Sequence, residues 1–149
     1  MPFETVAIAS DHAGFPLKSV LKDELAAIGF PVLDLGTDDT QSVDYPDFGF
    51  AAATAVGEGR ARWGVLVCGT GIGMSIAANR DRRVRAALVH DAVGARMARQ
   101  HNNANIVCFG GRTTTIDVAR ECLRIFLETD FEGGRHGLRV DKLSSPPGV

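Results

Sequence analysis

Six consecutive residues, Cys68-Gly69-Thr70-Gly71-Ile72-Gly73, set a thiol, a hydroxyl and three glycines between an apolar run and a helical pattern. At a helix N-terminus, free backbone N–H groups and the helix dipole favour an anion, and glycines let a ligand approach the backbone. Amide dipoles aimed at a sulfur favour its thiolate, which then serves as a base or a nucleophile. A strand–helix turn that binds nothing explains a GxGxG loop equally well, and a lone cysteine at a strand end is usually a small buried hydrophobe. The loop is not a dinucleotide fingerprint, because the third glycine would stand at Met74. No Lys-Ser/Thr follows to make a P-loop.

Other polar groups sit at similar junctions. Asp11-His12 follows a β-prone run, either as a turn pair or as a ligand contact. Gly110-Gly111-Arg112 follows another. His101-Asn102 ends a helical stretch, where the dipole alone would favour a histidine cap. Arg135 and Arg139 are four apart, so one helical turn puts both on one face. There they can clamp a phosphate or remain solvated surface charge. His90 and His136 have no evident partner. The four histidines lack an H-x-x-x-H pattern, so no metal or other cofactor is expected. Cys68, Cys108 and Cys122 are too scattered for a disulfide framework, and Cys108 and Cys122 are expected in the core. This usage suits a reduced, cytoplasmic setting.

The elements that position these groups follow from hydrophobic spacing. Strands are expected at Thr5–Ala9, Pro31–Leu35, Trp63–Cys68, Ala86–Val89 and Ile106–Phe109. Helices are expected from Leu17 to Ile28, Phe48 to Val56, Gly71 to Asn79, Ala92 to Gln100 and Thr115 to Leu127, with a polar loop from Gly36 to Asp47. The alternation βαβαβαβαβα specifies a parallel sheet with helices on both faces. Ligands of such sheets bind beyond the carboxyl ends of the strands, near a topological switch point. Residues 1–149 are expected to form one domain, with a Gly- and Pro-containing tail from about 140 to 149 that frays and is available to a partner subunit.

Composition narrows the class. The chain has 149 residues, 45% hydrophobic and 23% charged, enough for one core without staples. No apolar run reaches the roughly 18 residues a membrane helix needs, and no secretory leader is visible. The net charge of −2 conceals an asymmetry, since all thirteen arginines lie at or after Arg60. Arginine suits bidentate phosphate contacts. With one Trp and one Tyr, a small anionic ligand fits better than nucleic acid.

The chain resembles the ribose-5-phosphate isomerase B family, within a wider group that includes galactose-6-phosphate and allose-6-phosphate isomerases. The matching segments are Ser10-Asp11-His12-Ala13-Gly14-Phe15, Asp44-Tyr45-Pro46, Cys68 to Gly73, Ser75-Ile76-Ala77-Ala78-Asn79, Arg99-Gln100-His101-Asn102, Asn105, Phe109-Gly110, and Glu132-Gly133-Gly134-Arg135-His136 with Arg139. The resemblance implies a Rossmann-like three-layer αβα sandwich on a five-stranded parallel sheet. It also implies a homodimer or dimer of dimers with active sites between subunits, and metal-free interconversion of ribose 5-phosphate and ribulose 5-phosphate. By position, Cys68 is the implied base between C2 and C1. One branch of the family uses a Glu at the position of Met74 instead, so Cys68 with Met74 marks the cysteine branch. Thr70 and the amides of Gly69, Gly71, Ile72 and Gly73 are implied to hold the enediolate, and His101 to open the furanose ring. Asp11 and Asn102 are implied sugar contacts, His12, Arg112, Arg135 and Arg139 phosphate contacts, and Tyr45 part of the wall.

Two alternatives keep the fold. One is a non-catalytic module that binds a nucleotide or sugar phosphate; it would have no use for Cys68, Thr70 and His101 together. The other retains the chemistry on a hexose 6-phosphate or tetrose phosphate, because the distance from base to arginine clamp is not legible in one sequence. The isomerase reading requires the sulfur of Cys68 to lie at the mouth of the sheet, near guanidinium groups.

Overall fold

The computed structural model describes residues 3–148. Five strands, β1 (Val6–Ser10), β2 (Val32–Asp34), β3 (Trp63–Cys68), β4 (Ala86–Leu88) and β5 (Ile106–Gly110), form one wholly parallel sheet in the order β2-β1-β3-β5-β4. The continuous apolar runs of β1, β3 and β5 suit strands covered on both faces. Their registers are Val6 with Trp63 and Cys68 with Gly110.

Helices cover both faces, giving a three-layer αβα sandwich. α1 (Phe15–Ile28), α4 (Ala92–Gln100) and α5 (Ile116–Glu128) pack on Val6, Ile8, Val65, Val67, Val107 and Phe109. α2 (Tyr45–Gly57) and α3 (Ile72–Ala78) pack on Ala7, Ala9, Leu66, Cys68, Ile106 and Cys108. Side chains alternate across a strand, so Cys68 faces α3 while Val67 faces α1. β1 sends its chain outward to β2, and β3 sends its chain the other way to β4. The switch point therefore lies between the carboxyl ends of β1 and β3, where Asp11 and Cys68 stand.

Two expectations from sequence need correction. α2 begins at Tyr45, not Phe48, because Pro46 sits in its first turn, where a missing N–H costs nothing. A sixth helix, α6, spans Arg135–Leu143, so the tail starts later than residue 140. It forms because His136 and Val140, four apart, are buried on one side.

Candidate active site

The glycine loop is built by close approach. Cys68 ends β3 with 5% of its surface open, and its Sγ accepts a hydrogen bond from the Gly71 N–H at 3.2 Å. The Ile72 N–H donates to Thr70 Oγ1 at 3.3 Å. Two of the amides assigned from sequence to the enediolate are thus engaged within the loop. Gly71 has φ +77°, and a Cβ there would lie 2.5 Å from Leu88 Cδ1 and 2.9 Å from the Phe109 carbonyl carbon. Gly71→Ala is therefore expected to cost at least about 2 kcal/mol, from left-handed backbone strain and overpacking. Thermal unfolding should move down by roughly 5 °C or more. An unchanged Tm would refute this account of the loop.

The neighbours close around the loop. The Gly111 N–H donates to the Cys68 carbonyl at 2.8 Å and the Arg112 N–H to the Gly69 carbonyl at 2.9 Å. The Arg112 guanidinium lies beside Gly69, where a Cβ would sit 3.3 Å from Nη1. Cys68 is thus buried at the end of β3, one residue before the Gly69 against which the Arg112 guanidinium lies. Tyr45 lies against Gly73, where a Cβ would come 2.5 Å from its ring. Asp11 is buried and its Oδ1 accepts from the Gly14 N–H at 2.9 Å. His12 Nδ1 accepts from the Val43 N–H at 3.1 Å, tying this turn to the segment entering α2. By contrast, burial pushes the Cys108 thiol far up and that of Cys122 up to about 11. Both stay in the core as uncharged thiols.

His101, Asn102, Arg135 and Arg139 are not brought to this loop. α4 runs back from the carboxyl end of β4 to the start of β5, so its last residues lie beneath the sheet. The Ala104 N–H donates to the Ala98 carbonyl, and the Gly64 N–H, at the start of β3, to the Asn105 carbonyl at 2.9 Å. The five steps along the six residues of β3, about 3.3 Å each, put its two ends roughly 17 Å apart.

Arg99 anchors this lower end. It is buried, and its guanidinium donates to the Thr129 carbonyl at 3.1 Å, Asn103 Oδ1 at 2.9 Å and the Ala104 carbonyl at 2.6 Å. It also stacks 4.6 Å from the Trp63 ring centroid. Burial foremost, with Arg62 and Arg85, lowers it to about 10, still charged at neutral pH. The Glu132 N–H donates to the Gln100 carbonyl at 3.1 Å, which starts α6 beside His101. Arg135 and Arg139 are exposed on α6. A cavity of about 690 Å³ opens nearby, lined by Asn79, Arg80, Arg85, Asn102, Leu143 and Pro146. Leu143 and Pro146 thus form a wall beside Asn102.

His136, for which sequence indicated no partner, stacks on His101 with centroids 4.3 Å apart and 12° between planes. The Glu132 carboxylate reaches both Nε2 atoms, at 4.0 Å and 3.9 Å. The four-residue spacing of Glu132 and His136 was the only local signal. Among the described residues these three bring metal-ligating atoms within 4.8 Å of one another. Nitrogen lone pairs lie in the ring planes, and two nearly parallel planes do not meet at one ion at the usual 2.0–2.1 Å.

A model of the ribose/galactose isomerase family matches residues 6–143. The chain belongs to the ribose/galactose isomerase family. A putative sugar phosphate isomerase of Bacillus subtilis is 44% identical over 140 residues, 93% of this chain and 94% of that one. The crystal structure of a ribose 5-phosphate isomerase from Thermotoga maritima matches with a TM-score of 0.94 and 46% identity, over 96% of this chain and 99% of that one. Ribose-5-phosphate isomerase B from Mycoplasma genitalium, solved with bound ribulose-5-phosphate, matches with a TM-score of 0.91 and 42% identity, over 94% and 93%. Among the described residues no helix of this isomerase-family chain is long and apolar enough to cross a membrane.

Proposed function

We propose that this protein interconverts ribose 5-phosphate and ribulose 5-phosphate through an enediolate. The observation that carries the reading is the Cys68 sulfur at the switch point, held by the Gly71 amide at 3.2 Å in a chain of this family. As thiolate, Cys68 takes the proton from C2 of the open-chain aldose. The electron pair forms the C1–C2 double bond of the enediolate, and the thiol returns its proton to C1. The O2 hydroxyl loses its proton and O1 gains one on the way. Thr70 and the loop amides not already engaged stabilise the oxygens, as preorganised donors do. Asp11, Tyr45 and Asn102 line the sugar. His101 opens the ring, taking the O1 proton and giving one to the ring oxygen as the C1–O bond breaks.

The separation of Cys68 from His101 supports a homodimer in which each site takes its base from one protomer and its ring-opening histidine from the other. Exposed apolar residues flank both halves: Phe50, Ile72 and Ile76 on α2 and α3, and Val93 and Met97 on α4. Such patches suit burial against a second copy. The cytoplasm, where thiols stay reduced, is the compartment this chemistry needs.

His12 and Arg112 from one half and Arg135 and Arg139 from the other hold the phosphate. Arg135→Ala should raise KM for ribose 5-phosphate about 10–100-fold with kcat largely kept, because phosphate contacts are present in ground and transition states alike. An unchanged KM would remove Arg135 from the clamp. Comparing kcat/KM on pentose, hexose and tetrose phosphates tests the substrate, and a higher value on a hexose or tetrose would displace ribose 5-phosphate.

A further inference from the structure

The His101–His136–Glu132 cluster has no part in proton transfer between C1 and C2, yet it is built around one imidazole. His136 is 9% exposed and lies flat on the His101 ring at 4.3 Å, so it fixes the plane of that ring. The Glu132 carboxylate stands 4.0 Å from His101 Nε2 and 3.9 Å from His136 Nε2, facing the edges of both rings. The Gln100 carbonyl accepts from the Glu132 N–H, which ties the acid to the helix end that carries His101. We propose that Glu132 and His136 are positioning residues for His101, the carboxylate setting its basicity and the second imidazole its orientation.

This rests on the ring-opening role of His101. The charged groups around the cluster are Arg135 and Arg139 on α6, Asp130 and Glu132 on the connection before it, and Arg99 two residues back on α4. Burial, then His101 and Arg135, hold His136 below the usual imidazole range.

Two readouts separate the steps. Solvent deuterium entering C1 of ribulose 5-phosphate, followed by NMR, reports proton transfer at carbon and needs no ring opening. Net isomerisation of ribose 5-phosphate needs both. Glu132→Gln should move one limb of the kcat/KM profile to lower pH by about half to one unit, as expected for losing a charge at this distance. It should keep C1 exchange. His136→Ala should lower kcat about tenfold, and His136→Phe, which restores a flat ring, should recover most of the loss. A Glu132→Gln profile superimposable on the wild type, or His136 variants altering KM alone, would overturn the inference while leaving the role of His101 intact. His101→Asn with wild-type isomerisation would overturn that role and this inference with it.

Discussion

Cys68→Ala is expected to lower kcat for ribose 5-phosphate at least about a thousandfold, and to abolish deuterium exchange at C1 of ribulose 5-phosphate. General base catalysis typically contributes about 10²–10⁴-fold, and neither Cys108, sealed in the core, nor Met74, which cannot take a proton, replaces the thiolate. The fold should survive, since Cys68 makes one side-chain hydrogen bond, from Gly71, and alanine fits the same strand. Binding of a non-reacting phosphate ligand should also persist, because the arginines are untouched. The assay is steady-state kinetics together with the exchange measurement, on protein whose melting temperature has been checked. Exchange at the wild-type rate would assign the base elsewhere.

Mixing two inactive variants should restore activity. Cys68→Ala and His101→Asn damage opposite ends of the sheet, roughly 17 Å apart by strand rise. In a two-fold dimer each site would draw Cys68 from one protomer and His101 from its partner. A heterodimer of the two variants then has one intact site and one doubly damaged site. Random reassortment makes about half the dimers mixed, so about a quarter of wild-type activity should return. Neither variant alone should exceed background. If denaturation and joint refolding of an equimolar mixture return nothing, the two halves do not meet across a subunit interface.

Sequence spacing alone determined much of this protein. β3 and α4 fall where hydrophobic periodicity and the Asp91 cap put them, and the Asp91 side chain accepts from the Gly94 N–H at 2.7 Å. Periodicity is local, so a strand buried on both faces or an amphipathic helix announces itself. The glycine loop was legible for the same reason, since residues that must approach a backbone closely carry no side chain. The start of α2 was missed because Pro46 and its polar neighbours look like a turn until the helix is seen to begin there. α6 was missed because its pattern is short, and His136 gains its burial against residues far away in the chain.

Only the tertiary structure decided which functional residues share a place. Sequence order sets Cys68 and His101 thirty-three positions apart and says nothing of which end of a strand each occupies. The helix α4, running antiparallel to the strands, carries His101 to the far end of the sheet. The same packing brings Glu132 and His136 onto it from the connection before α6 and from α6 itself, more than thirty residues later. Chemistry-bearing residue types are written in the chain; their convergence depends on the direction and order of the elements, which long-range packing sets.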